Sequence, residues 1–247
     1  MMRFFRASAF CLMVVLGGAA VSGAQSQSTE PPPAWAATVS AGLSLTSGNS
    51  DTSTFSFAYD LVILPERRNS VRSDALLLRS KDEDELNADR VSLNIRDQFS
   101  LNARAYLVGQ TAYLHDRFKE IDYFLAPMAC VGYKMIDNPI VTLLLDAGLG
   151  VVGERRSEAT TNWFCMTATE RLDYALTSAT TVTQTFSGIW KSSDLSNSLY
   201  TVGANISTAI TERFDMKIEA LDTFRNRTSV GVEKNDLALL AAVVIKL

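Results

Sequence analysis

The last eleven residues alternate without a break. Leu237, Leu239, Ala241, Val243, Ile245 and Leu247 fall on one face of an extended chain, because successive side chains of a strand point to opposite sides. Runs of about ten alternating residues, each followed by a turn, recur about a dozen times along the chain. No segment after residue 24 stays apolar for the roughly 18 residues of a membrane helix. The densest stretch, Val141–Leu145, is interrupted by Asp146 and Gly148. A chain of this kind can cross a bilayer only as a closed sheet, since lipid offers no partner to an unpaired backbone group.

The first 24 residues have the order of an export signal. Arg3 and Arg6 supply positive charge, Ala9 to Ala20 an apolar stretch, and Ser22-Gly23-Ala24 small residues before a cut. Residues 25–34, with Pro31-Pro32-Pro33, are expected to form a periplasmic linker, and residues 35–247 a single barrel. Removing Arg3 and Arg6 lowers Lys+Arg from 23 to 21 against 27 Asp+Glu, so the net charge moves from −4 to −6. That balance excludes a general nucleic-acid binder, which would be basic.

Strand one is expected from Trp35 to Thr46, with Trp35, Ala37, Val39, Ala41, Leu43 and Leu45 on one face. Ser47 to Asp51 turns the chain. Strands two to four are centred on Phe55–Ile63, Val71–Ser80 and Val91–Phe99. Strands five to eight follow over Ala105–His115, Asp122–Tyr133, Val141–Val151 and Phe164–Tyr174. Strands nine to twelve follow over Thr180–Trp190, Tyr200–Thr208, Phe214–Phe224 and Leu237–Leu247. The facing of strands five and nine is ambiguous. Pro127 lacks a ladder donor, so a bulge or a rim position is expected there. An even strand number returns both ends to one side. The connections at 81–87, 153–161, 191–197 and 225–236 read as longer, charged external loops, and those at 65–70, 101–104, 134–139, 176–179 and 211–213 as mostly short periplasmic turns.

A soluble barrel or sandwich would show the same alternation with its apolar face inside. Export, polar faces rich in Ser, Thr, Asn and Gly, and one apolar face on most strands favour the membrane. The expectation is therefore an all-β, single antiparallel up-and-down transmembrane β-barrel of about 12 strands.

Several stretches resemble the family of Gram-negative outer-membrane proteins of unknown function known as salt-induced outer-membrane proteins. They are Leu43-Ser44-Leu45-Thr46-Ser47-Gly48-Asn49-Ser50-Asp51-Thr52, Tyr113-Leu114-His115-Asp116-Arg117-Phe118 with Ile121-Asp122-Tyr123, Gly132-Tyr133, and Asp146-Ala147-Gly148-Leu149-Gly150. The resemblance implies a twelve-stranded outer-membrane barrel and carries over no catalytic residue and no cofactor. Its implied partners are outer-membrane lipids and the barrel assembly machinery. The chain departs from such barrels at Leu247, where an aromatic residue is usual, and slower recognition by that machinery is expected.

The chemistry-bearing residues are few. His115 is the sole histidine, beside Asp116, but neighbours in a strand face opposite ways, so a rim residue is expected rather than a general base. Asp116, Arg117 and Phe118 are expected to order a loop, through an arginine–carboxylate pair and an aromatic at the lipid interface. The polar faces carry Asp60, Asp74, Asp146, Asp173, Asp215 and Glu219 against Arg72, Arg96, Arg171, Lys217 and Arg225. A selective pore would show a one-sided ring of charge. Near balance points to pairing across a narrow or largely filled lumen.

Three carboxylates, Asp97, Glu170 and Asp222, fall on apolar faces, each within a few residues of a turn, where acids cost little. Lys81 to Glu85 could attract divalent cations but lacks the spacing of a calcium loop, so it reads as solvated. Cys130 and Cys165 sit two strands apart, roughly 10 Å, beyond disulfide reach, and are expected as free packing thiols. The chain is thus expected to be a monomeric, non-enzymatic outer-membrane barrel with a structural or passive small-solute transport role. A surface hydrolase and a soluble periplasmic barrel are the alternatives.

Overall fold

The computed structural model describes residues 35–247 apart from 48–51, 67, 83–84, 157–158 and 229–233. The expected signal, the linker and the turn at Ser47–Asp51 lie outside these residues wholly or largely. Every element among the described residues is a strand. They are β1 (Trp35–Ser47), β2 (Thr52–Glu66), β3 (Asn69–Asp82), β4 (Glu85–Ser100), β5 (Ala105–Asp116) and β6 (Ile121–Asp137). There follow β7 (Val141–Arg156), β8 (Ala159–Ala175), β9 (Thr180–Lys191), β10 (Asp194–Ala209), β11 (Phe214–Arg225) and β12 (Asn235–Lys246). Each pairs antiparallel with its sequence neighbours, and β12 pairs with β1 from Ser47↔Leu237 to Thr38↔Lys246, which closes the barrel. Closure leaves no unpaired sheet edge.

The alternation of β12 reads directly into this wall. Leu237, Leu239, Val243 and Ile245 face outward, and Ala238, Leu240 and Val244 are buried inside. The outer wall is apolar on every side, with exposed Phe57, Ile95, Leu125, Leu149, Val202 and Ile218 among its residues. Aromatic residues bound it. At the end away from β1's start stand Phe164 and the cluster Trp190, Tyr200 and Phe224, in which Trp190 Nε1 donates to the Tyr200 hydroxyl at 2.9 Å. At the opposite end stand Trp35, Phe99, Tyr133 and Phe214. A wall of this kind is stable against hydrocarbon rather than water.

Two expectations need correction, and one ambiguity is resolved. The connections 81–87, 153–161 and 191–197 are mostly strand: β3 runs to Asp82 and β4 starts at Glu85, β7 runs to Arg156, β8 starts at Ala159, and β10 starts at Asp194. Charged residues there continue the ladder: Glu154 turns inward, while Arg155 is half-exposed. The long, charged connection is the one after Arg225, part of which lies outside the described residues. The acidic stretch Lys81–Glu85 falls partly outside them too.

Pro127 causes neither a bulge nor a rim position. It sits within β6 opposite Thr111, and the ladder to β7 lapses at residues 126–127, then resumes in the same register from Leu125↔Gly153 to Met128↔Gly150. Finally, the strands of ambiguous facing are resolved. Tyr106, Val108, Leu114 and Asp116 of β5 point inward, as do Thr183 and Ile189 of β9.

Candidate functional site: a lumen sealed at one end

Twelve strands enclose more room than the eight that side chains just fill. This lumen is nevertheless closed over much of its length. Large apolar residues project inward from β5 to β9: Tyr106, Val108, Leu114, Phe124, Met128, Cys130, Val152, Cys165 and Ile189 form one buried cluster, with Trp163 and Leu199 against it. Glycines on the same face make the room. A Cβ on Gly132 would lie 2.1 Å from the Tyr106 ring, and on Gly148 and Gly150 it would meet Cys130 Sγ and Met128 Cγ at 2.5 Å. Cys130 and Cys165 are both free and buried in this core. The inward face is therefore apolar where a hydrated pore would be polar.

Charged residues lie on either side of this core. Near the end where β1 begins, the pairs are local. Arg72 Nε donates to Asp60 Oδ2 at 3.1 Å, and Asn94 Nδ2 donates to Asp74 at 2.8 Å. Arg171 holds Asp173 with two bonds of 2.7 and 2.9 Å, and Thr183 donates to the same carboxylate at 2.7 Å. Lys217 pairs with Glu219 at 2.6 Å and Lys246 with Asp215 at 2.7 Å. Further in, the pairing crosses strands. Arg96 on β4 reaches Asp146 on β7 at 2.7 Å, with its guanidinium 6.0 Å from the Tyr106 ring. A cavity of about 30 Å³ beside Lys217 and Glu219, room for about one water, is bounded by Leu76 and Leu240 from other strands.

At the far end a second layer closes over the core. Arg225 on β11 reaches Glu154 on β7 at 2.6 Å, and Trp163 Nε1 donates to the same carboxylate at 3.3 Å. Arg90 on β4 donates to Thr223 Oγ1 on β11 at 3.4 Å. Lys119, in the loop after β5, pairs with Asp236 at 2.6 Å, and Arg156 Nη2 donates to the Lys119 carbonyl at 3.2 Å. Burial pushes the Lys119 ammonium pKa down, and the Asp236 carboxylate opposes that shift.

Exposure falls along the lumen. The Asp60 and Arg72 side chains keep 38% and 34% of their surface, Arg225 and Glu154 only 4% and 7%. The lumen is thus accessible from the end where β1 begins and buried at the core.

Every charged residue assigned to the polar faces from sequence does point inward, but the sealing partners Glu154, Lys119, Arg90 and Asp236 were not singled out. Glu154 and Lys119 lay in presumed loops. The signal that could have found Glu154 is the unbroken alternation from Asp146 through Val152.

The loop after β5 is ordered by the Asp116 carboxylate, which accepts from the backbone N–H groups of Phe118 and Lys119, both at 3.1 Å. Arg117 contributes its backbone N–H, to the Asp89 carbonyl at 3.1 Å, and Phe118 is half-buried. His115 faces away from Asp116, and its Nδ1 lies 2.8 Å from the Asp122 carbonyl. No cluster of three metal-ligating side chains occurs among the described residues.

Comparison with known proteins fits this architecture. A family model described as a protein of unknown function, DUF481, matches residues 39–246. No curated protein matches the chain. Among solved structures, the NanC porin is similar over 85% of this chain and 100% of its own, at 10% identity and a TM-score of 0.58. An outer-membrane channel from Pseudomonas putida F1 is similar over 91% of this chain and 100% of its own, at 11% identity and a TM-score of 0.55. The translocator domain of the autotransporter NalP from Neisseria meningitidis is similar over 88% of this chain and 90% of its own, at 10% identity and a TM-score of 0.53. Identities this low speak for the fold alone.

Proposed function

The chain belongs to the family of proteins of unknown function that matches residues 39–246, and we propose that it is an outer-membrane barrel whose role is structural, closed to solutes in the state described here. The sealed lumen carries this reading. A buried apolar core and the Arg225–Glu154 pair stand between the hydrated charges and the far end. The apolar outer wall, its two aromatic borders and the export signature of residues 1–24 support residence in the outer membrane. The balanced, paired charges Asp60–Arg72, Arg171–Asp173 and Lys217–Glu219 stabilise a polar interior rather than select an ion. Non-enzymatic behaviour is supported by His115, whose ring is engaged by a backbone carbonyl and faces away from Asp116.

Refolded protein in planar bilayers tests this reading. It should give no resolved channel openings at moderate voltage. A stable, long-lived open conductance of the unmodified protein would overturn the sealed-lumen reading. Membrane fractionation with heat-modifiable gel mobility tests the location.

The porin and channel likenesses support a second reading, passive small-solute transport through an opened form. Solute uptake into liposomes that appears only when the far-end pairs are removed would favour it. The salt-induced character belongs to the same proposal and rests on the stretches around Leu43–Thr52 and Tyr113–Phe118; protein abundance after a salt upshift tests it.

A further inference from the structure

One carboxylate on the outer wall is at the wrong depth for the cheap position expected of it. Asp97 is one outward position from Phe99 and Asp222 one from Phe224, so both lie close to an aromatic border. Glu170 does not. The outward stripe of β8 runs from Phe164 to Tyr174, ten positions, or about 25 Å for a strand rising roughly 3.3 Å per residue at a tilt of about 40°. Glu170 stands near its middle. The earlier expectation counted residues from the turn, whereas depth is set by the distance to the aromatic border. A carboxyl group at mid-membrane is a functional marker whose partner has to be found.

The register shows what surrounds it. Leu145 and Phe186 flank Glu170 directly across β7 and β9. The adjacent outward row holds Ala147 opposite Ala168. These two small residues floor a groove of about 570 Å³, with Leu145, Glu170 and Phe186 on one wall. Gln184, opposite Leu172 on β9, is the diagonal neighbour of Glu170 on the same outward face. Among the described residues neither Glu170 nor Gln184 has a hydrogen-bond partner, and lipid chains supply none.

We propose that the β7–β9 face is a homodimer interface in which Glu170 of each copy pairs with Gln184 of the other across a two-fold axis along the membrane normal. The match is reciprocal, as a two-fold interface demands. The Gln184 amide donates and the Glu170 carboxyl accepts, twice over. Because the axis preserves depth, the pair has only to bridge the height difference between diagonal neighbours on adjacent tilted strands, on the order of a few ångströms, which two long side chains span. The Ala147–Ala168 floor lets the facing walls approach, as small residues do at interfaces within membranes. A second copy supplies both polar groups at the required depth. This departs from the monomer expected from sequence, and it rests on the membrane reading above.

Ala168→Cys in the full chain, treated in native membranes with a short thiol–thiol crosslinker, tests the proposal. The native thiols face the packed lumen, so the unmodified protein is the control. A covalent species of twice the monomer mass is expected from Ala168→Cys. Ile218→Cys, three strands away around the barrel on β11 and 54% exposed, should stay monomeric.

Adding Glu170→Leu should reduce crosslinking at residue 168 at least tenfold, whereas Glu170→Gln, which still hydrogen-bonds, should retain most of it. Equal crosslinking at 168 and 218, monomer only, an adduct of another mass, or indifference to Glu170→Leu would overturn the proposal. Leu145→Cys provides a second reporter on the groove wall should residue 168 prove unreactive. Heat-modifiable mobility of the same samples reports barrel insertion separately. If it is lost in the unmodified protein, the membrane reading fails and the dimer fails with it. If it is kept without crosslinking at either reporter, the dimer alone fails.

Discussion

Replacing Arg225 by Met separates a sealed lumen from an aqueous one. Met keeps much of the arginine stem's volume and removes the guanidinium. The Glu154 carboxylate, 7% exposed, then loses its 2.6 Å ion pair and keeps only the 3.3 Å bond from Trp163. Removing one member of a buried pair typically costs about 3–5 kcal/mol, because the partner is left buried and unpaired. The remaining Trp163 donor places the expected loss at the lower end, about 3 kcal/mol, or roughly a hundredfold in the unfolding equilibrium.

Adding Glu154→Gln removes the stranded charge and keeps an acceptor for Trp163, so the double variant should regain at least half of the loss. Reversible urea unfolding in lipid vesicles, followed by tryptophan emission, measures both values, and Trp163 reports on the altered carboxylate. A loss under about 1 kcal/mol for Arg225→Met, or additive losses in the double variant, would refute the reasoning, since either result means water reaches the pair.

Other outcomes follow from the same structure. Gly132→Val places a Cβ within 2.1 Å of the Tyr106 ring and should cost about 1–3 kcal/mol in the same unfolding assay. Asp60→Asn, at a pair more than a third exposed and screened by water, should change stability by less than about 1 kcal/mol. Arg96→Met, which strands the Asp146 carboxylate at 4% exposure, should match Arg225→Met rather than Asp60→Asn. Cys130 and Cys165 should resist maleimide in the folded barrel and react once urea unfolds it, which mass spectrometry resolves site by site.

The wall of the barrel was far more legible in the sequence than its filling. β1 and β12 read cleanly, because lipid on one side and small or polar groups on the other impose strict period two. β5 did not, because Tyr106, Val108 and Leu114 pack into a core while Leu107 faces outward, so both faces are apolar. The ends of β7 and β8 were mistaken for loop because charge was taken as a sign of irregular backbone. There it marks only where the belt stops.

The inward direction of Asp146 and Arg225 could be read from parity. Their partners could not, since Arg96–Asp146 and Arg225–Glu154 join strands three and four places apart in the sheet order, a relation no local pattern encodes. The depth of Glu170 required knowing that Phe164 and Tyr174 share its outward stripe on one continuous strand.

The packed cluster from Tyr106 to Ile189 also bears on how such a chain is handled before it meets a bilayer. A barrel with a wet interior has nothing to condense around in water, so it stays open until lipid supplies a solvent for its single apolar face. Here β5 and β6 carry large apolar residues on both faces, and their pairing is local in sequence. That segment has the makings of a collapse nucleus in the aqueous compartment, where compaction in under a millisecond is ordinary for chains of this size. Its inner surface can be satisfied by self-association, while its outer surface stays exposed. Such a segment would carry a self-association hazard before insertion that a barrel with a polar lumen would carry to a far lesser degree.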